Sequence, residues 1–304
     1  MPAMRVSSSE QGDRGIFASA NLLPRQEAVA VPRKLVITDA DARSRYPEVV
    51  QPSTIWALRP EHQLMYFLVA DRARLDQGGR LTTEGAKAPP ASDGDALPPS
   101  EAPDMAIFYE ALPDDFSLLP MNWPHGDAEH DPLDVLLPQS RASTVRAQRA
   151  EVARLREHLE SVAPRVLAEA EAAWTARGRA HDPMTWAYAT VRSRAFQIRM
   201  GGTARAALCP LVDLLNHTAG EGANAEWSYE ESTREFVVRA TRAVGAGAEL
   251  LDSYGRKPQA DLLLHYGFVL PPPLPLSAPS AGGGSLAQQG TAAHKLASQM
   301  VRMV

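Results

Sequence analysis

The sequence predicts an α+β domain whose sheet is assembled from both ends of the chain. Three observations carry that prediction. Residues 1–40 are strand-dense and punctuated by glycine. The middle of the chain carries helical apolar periodicity. Residues 205–254 return to short, alternating extended runs.

Met4 to Val6 is a short extended run, and Gly12-Asp13-Arg14-Gly15 is a turn signal before Ile16-Phe17-Ala18. Ala28-Val29-Ala30-Val31 and Leu35-Val36-Ile37-Thr38 are β-rich runs separated by Pro32. Trp56, Leu64, Met65, Phe67, Leu68 and Val69 are dense enough for a buried helix within residues 54–75. Residues 76–105 lose all periodicity, and Pro89-Pro90 and Pro98-Pro99 mark a flexible or disordered loop.

The clearest helical signal lies within residues 143–176. There Val152, Leu155, Leu159, Val162 and Val166 form one apolar stripe, with Pro164 predicting a kink or two helices. A second helix is expected over residues 184–199, with Trp186, Ala187, Val191 and Phe196 facing inward. Residues 225–229 and 235–239 read as a hairpin, residues 249–254 as a further strand, and residues 261–265 as a short helix. From Pro271 the chain is rich in Pro, Ser, Gly and Ala, which predicts a disordered tail with a terminal helix only near His294.

Composition bounds the function. The 304 residues are 44% hydrophobic and 22% charged, an ordinary globular balance. No run approaches the roughly 18 apolar residues of a membrane span, and Met1-Pro2-Ala3-Met4-Arg5 has no signal-peptide core. Neither a membrane protein nor a secreted one is expected. Cys209 is the single cysteine, so intrachain disulfides and multi-thiolate zinc sites are excluded. The net charge of -5 offers no global basic field for nucleic acid.

Three segments stand out. Gly12-Asp13-Arg14-Gly15-Ile16-Phe17-Ala18 is a glycine turn entering a strand, either an ordinary hairpin or a place where backbone groups approach a ligand. Asp213-Leu214-Leu215-Asn216-His217 clusters polar side chains in an apolar run, either a ligand pocket or a capped helix end. Asp252-Ser253-Tyr254-Gly255 is followed by Tyr266-Gly267-Phe268, and the aromatics either wall a pocket or belong to the core. A metal site from His125, Asp127, His130 and Asp131 reads instead as a solvated loop. Cys209 reads as a small buried residue rather than a nucleophile.

Taken together and in this order, the three segments, with Ser193-Arg194-Ala195-Phe196, resemble a SET-domain protein methyltransferase. The branch most similar has a long helical insertion and no zinc-binding cysteine clusters, and is typified by the Rubisco large-subunit lysine methyltransferases. The resemblance covers roughly residues 4–272. It implies a knotted β-rich core in two parts, residues 1–54 and 184–272, with a helical insertion over 55–183 and a low-complexity tail over 273–304.

It also implies site roles. Gly12, Asp13 and Arg14 would hold S-adenosylmethionine through backbone contacts. Ser193 and Arg194 would meet its carboxylate and ribose end, and Asn216 and His217 its amino-acid part and adenine. Tyr254 would be the catalytic tyrosine and cofactor contact, with Phe268 near the adenine. Phe196, Asp213 and Tyr266 would lie near the substrate channel, and no metal is implied. Phenylalanine at position 196 favours lysine over histidine as the methylated side chain. The rival readings are a protein-histidine methyltransferase and a non-catalytic SET-like binding module.

The implied partner is a protein presenting a lysine, with no nucleic acid or membrane, and the chain is expected to act as a monomer. The expected compartment is the cytoplasm, with nucleus and plastid as alternatives. Two departures stand out. Gln259 follows Pro258 where the family commonly has Asn. The branch usually continues into a helical C-terminal domain, whereas this chain turns Pro/Gly-rich at Pro271.

Overall fold

The computed structural model describes residues 4–8, 14–50, 58–78, 105–126 and 131–270. Trp56, most of the 76–105 loop and everything from Pro271 lie outside the described residues. Ten strands and eight α-helices are described. The N-terminal strands are β1 (Met4–Ser8), β2 (Arg14–Ala18), β3 (Glu27–Pro32) and β4 (Ile37–Thr38). Helices α1 (Asp39–Arg45), α2 (Pro60–Asp76), α3 (Ala106–Ala111), α4 (Pro132–Leu136), α5 (Gln139–Val162), α6 (Pro164–Ala176) and α7 (Pro183–Arg194) follow. The chain then returns to strands β5 (Phe196–Met200), β6 (Thr203–Leu208), β7 (Asn216–His217), β8 (Ala225–Glu230), β9 (Glu235–Ala240) and β10 (Glu249–Asp252), before α8 (Gln259–Tyr266).

The expected α+β assembly from both ends is what forms. Three small sheets have the orders β1-β2-β10-β7, β3-β9-β8 and β4-β6-β5. Each joins an early strand to a late one: β2 pairs with β10, β3 with β9 and β4 with β6, all antiparallel. The pairings are nested, so the helical segment leaves the sheets at β4 and re-enters them at β5. The exception to antiparallel pairing is β7 with β10, in the registers Leu251 to Asn216 and Asp252 to His217. That pair brings the Asn-His segment beside the strand leading to Tyr254, the juxtaposition that the resemblance implied.

The helices form for reasons visible in their sequences. Thr38 and Asp41 make a reciprocal capping box at the start of α1. The Asp41 carboxylate also takes both oxygens to Arg33 Nη2 at 2.9 Å. The neighbouring Asp39 accepts from the Ala206 backbone N–H at 3.1 Å and from Arg205 at 3.2 Å, tying α1 to β6. Helix α2 is buried on nearly every side over Leu64 to Ala70, which explains why those two turns are apolar all round, while its charged residues gather toward its ends.

Pro164 resolves the predicted kink as two helices. It occupies the first position of α6, where its missing N–H costs nothing, and Ala163 breaks the path with φ −143° and ψ 60°. Val152, Leu155 and Leu159 are buried as the stripe predicts, while Val162 and Val166 are only partly covered and Leu167 takes the core position instead.

The predicted helix over residues 184–199 is shorter than expected. α7 stops at Arg194, Ala195 turns extended at φ −76° and ψ 138°, and Phe196 opens strand β5. The signal was present: Phe196, Ile198 and Met200 alternate with polar residues, and Gly201-Gly202 supplies the hairpin turn into β6. Further elements, among them α1, α3, α4 and β6, lie where the sequence reading placed nothing definite.

Candidate functional site

The site gathers at the β7–β10 junction. Before β7, Leu211 adopts φ 72°, a left-handed conformation strained for leucine, and a 3-10 turn over Val212–Leu214 follows. This turn aims Asp213 at the last residue of α7. Arg194 Nη1 donates both to the Asp213 carboxylate and to its backbone carbonyl, each at 3.0 Å. The Asp213 side chain is 4% exposed and Arg194 19%. Burial pushes the Asp213 carboxyl above its usual range, while the Arg194 and Arg14 cations oppose that rise. The Nε of Arg194 is buried with no hydrogen-bond partner among the described residues.

Asn216 reaches back to the start of the chain. Its Nδ2 donates to the Arg14 backbone carbonyl at 3.0 Å and to the Glu249 carboxylate at 2.7 Å. These contacts close over Gly15, where a Cβ would collide with the Glu249 carboxylate and come within 3.0 Å of Asn216 Nδ2. The next residue, His217, accepts the Tyr254 backbone N–H on Nδ1 at 3.0 Å, which selects the neutral tautomer protonated on Nε2. Burial lowers its pKa in the same direction.

Tyr254 is the hub. Its hydroxyl donates to the Leu215 backbone carbonyl at 2.6 Å. Its ring stacks on His217 with centroids 4.9 Å apart and lies 4.8 Å from Tyr266. Phe268 completes the wall, 6.2 Å from His217 and 6.0 Å from Tyr266. Gly267 makes this return possible: at φ 77° it caps α8 in the left-handed conformation and turns Phe268 back toward His217. The Tyr254 phenol is partly buried, and burial raises its pKa, which keeps it protonated.

The predicted residues divide three ways. Arg14, Arg194, Asp213, Asn216, His217, Tyr254, Tyr266 and Phe268 come together around the junction. Gly12 and Asp13 lie outside the described residues. Ser193 and Phe196 make contacts of their own beside the junction. Ser193 Oγ donates back to Ala189 of its own helix at 2.7 Å. Phe196 packs edge-on against Trp227 and Phe236, each at 5.0 Å. Trp227 in turn lies beside the Asp252 carboxyl, which burial raises.

Sequence reasoning missed two organisers of this site. Glu249 holds Asn216, as described. Asn224 holds β10: its Nδ2 donates to the Glu249 carbonyl and its Oδ1 accepts from the Leu251 N–H, both at 2.8 Å. Nothing in the run Gly222-Ala223-Asn224-Ala225 signals that role.

Of the discarded metal candidates, His125 Nδ1 meets Arg149 and Asp131 caps α4, while Asp127 and His130 lie outside the described residues. Among the described residues no cluster of three His, Cys, Asp or Glu could hold a metal, and no helix is long and apolar enough to cross a membrane. Cys209 is buried, and that burial raises its thiol pKa, which keeps it unreactive.

Comparison with known proteins places this geometry. A family model described as SET domain matches residues 13–255. The human SET domain-containing protein 4 is 28% identical over 145 residues, 44% of this chain and 31% of that protein. The solved SET domain of LSMT bound to lysine and AdoHcy superposes with a TM-score of 0.60 at 20% identity, covering 88% of this chain and 53% of that one. Rubisco LSMT bound to sinefungin and monomethyllysine superposes at 0.58 with 21% identity, covering 88% and 52%. The chain thus spans about a third of the curated relative and about half of these solved chains.

Proposed function

The chain belongs to the SET-domain family, and we propose that it transfers a methyl group from S-adenosylmethionine to the side-chain nitrogen of a lysine in a protein substrate. One observation carries the proposal: Tyr254 stands at the β7–β10 junction with its phenol on the Leu215 carbonyl, inside an aromatic wall of His217, Tyr266 and Phe268. Structural neighbours bound to lysine and AdoHcy, or to AdoMet, support the same reading.

The residues present fit the cofactor. The orphaned Arg194 Nε is a buried donor suited to a carboxylate or hydroxyl. Asn216 is held by Arg14 and Glu249 through its Nδ2, which leaves its Oδ1 for an ammonium group. The His217 and Phe268 rings offer apolar faces to a purine. Arg14, Arg194, Asn216, His217 and Phe268 would therefore hold the cofactor, which supplies an electrophilic sulfonium methyl when bound.

What the chain itself must supply is alignment and a neutral amine. A free lysine has a pKa near 10.4, so deprotonating it at pH 7 costs about 4–5 kcal/mol. A partly buried aromatic wall disfavours the ammonium and lowers that cost. Burial raises the Tyr254 pKa and keeps the phenol protonated, and the role we assign to it is to orient the amine through its oxygen. With the Tyr254 proton donated to the Leu215 carbonyl, the phenol oxygen and that carbonyl present lone pairs side by side, two acceptors for the N–H groups of an amine.

The test is transfer of radiolabelled methyl from S-adenosylmethionine into proteins of a cell extract, run beside Tyr254→Phe. Label in methyl-lysine after hydrolysis, lost in the variant, is the expected result. Label in methylhistidine would overturn the lysine assignment. No label, with the cofactor still bound, would overturn the enzyme reading.

A further inference from the structure

The wall around Tyr254 is flanked by two segments: the end of α7, which packs on α8, and the loop joining β10 to α8, whose Lys257 lies over the Tyr266 ring. Both segments carry exposed cations. Arg192 lies two residues before the end of α7, and Arg256 and Lys257 follow Tyr254-Gly255. None of the three has a carboxylate partner among the described residues. Lys257 Nζ lies over the Tyr266 ring, 5.9 Å from its centroid, and that ring touches Tyr254. The Arg192 charge is felt at both Tyr266 and His265, and the Lys257 charge at His265 and His217. The two cations therefore converge on the same aromatic rim from opposite segments.

Three nearby acids are already paired, and Asp252 is buried, with its carboxyl pushed up by that burial. Asp261 is taken by Arg141, and Asp213 by Arg194. Glu151 accepts from Tyr188 and is paired with Arg59 and His62. This local excess of positive charge stands on a chain whose net charge is -5, so it is not a by-product of a basic protein. Only 31 of the 304 residues are Lys or Arg, against 36 Asp and Glu.

We propose that Arg192, Arg256 and Lys257 form a cationic rim that selects a lysine flanked by acidic residues in the substrate. The inference rests on the lysine methyltransferase reading for the identity of the central residue. A rim of this kind does two things at once. It repels an incoming ammonium, which favours the neutral amine that attacks, and it needs carboxylates on either side of that lysine to offset the repulsion. Flanks rich in Arg or Lys would meet like charge and be rejected.

The experiment measures binding, so that it is independent of turnover. Three fluorescein-labelled peptides of 15 or so residues carry one central lysine with Asp/Glu, Ser/Gly or Arg flanks. Their affinities are read by anisotropy in the presence of S-adenosylhomocysteine, at low and at high salt. The acidic peptide is expected to bind about tenfold tighter than the neutral one at low salt, with the advantage shrinking as salt screens the rim. In Arg192→Glu/Lys257→Glu the order should reverse, with circular dichroism and S-adenosylhomocysteine binding unchanged. Should that pair fail to fold, Arg256→Glu alone should shrink the preference. Equal affinities, no binding of any peptide, or a preference kept in the variants would overturn the proposal. Acidic preference without methyl transfer to any lysine would leave the rim standing and sink the enzyme reading instead.

Discussion

Arg194→Met separates the structural work of the Arg194–Asp213 pair from the cofactor contact proposed for it. The substitution removes the Nη1 donor from both the carboxylate and the carbonyl of Asp213. It leaves a carboxylate whose side chain is 4% exposed without its ion-pair partner, with only the Arg14 cation still acting on it. Breaking a buried pair in this way costs about 3–5 kcal/mol. Arg194 retains 19% exposure, which places the expected loss near the lower end, about 3 kcal/mol. For a domain of this size that lowers the melting temperature by roughly 6–12 °C.

The loss should depend on pH, with a definite sign. Burial already raises the Asp213 pKa, and Arg194 restrains it. An acid that holds its proton more tightly folded than unfolded contributes stability that is complete below the ordinary carboxylate value. That contribution is lost as pH rises through the folded value. Removing Arg194 lifts the folded value further, so the penalty should be smaller at pH 5 than at pH 8. Urea unfolding at both pH values, for wild type, Arg194→Met and Arg194→Met/Asp213→Leu, reads this directly. The double variant replaces the pair with apolar groups and should recover most of the stability. It should not recover affinity for S-adenosylhomocysteine. A single variant that loses under about 1 kcal/mol at pH 8, or a double variant no more stable than the single, would refute the reasoning.

Asn216→Ala should weaken S-adenosylhomocysteine binding by calorimetry, and an unaltered dissociation constant would make the Asn-His segment purely structural here. Gly15→Ala drives a methyl group into the Glu249 carboxylate and against Asn216, so it should raise the same constant severalfold while moving the urea midpoint little. Asn224→Ala strips the side-chain partners from the Glu249 carbonyl and the Leu251 N–H, and should cost about 2–3 kcal/mol in urea unfolding. A loss near zero would show that β10 is held by its flanking strands alone.

The strands and helices were legible where periodicity was strong and undisturbed. The hairpin β8–β9, strand β10 and helices α2 and α5 stand close to where apolar spacing put them. The break at Pro164 was readable because a ring without an N–H cannot continue a helix. The end of α7 was misplaced because Trp186, Ala187 and Val191 set a helical rhythm that Phe196 continues in number but not in structure. Period 2 over three apolar residues is a weak signal beside twelve residues of helix.

By itself, the sequence determined which chemistry-bearing residues are present, their order, and their membership of short motifs. Asn216-His217, Tyr254-Gly255 and Tyr266-Gly267-Phe268 are local, so residue types and spacing suffice to see them. Only the tertiary structure decided which of them meet, and through which atoms. Asn216 and Arg14 are separated by 202 residues, and Arg194 and Asp213 sit on a helix and a turn with a hairpin between them. Glu249 and Asn224 became visible only as hydrogen-bond partners, and the contacts of Ser193 with Ala189 and of Phe196 with Trp227 were set by packing. The reason is physical. A hydrogen bond or ion pair is fixed to a few tenths of an ångström by side chains converging from distant elements, and no one-dimensional spacing encodes that convergence.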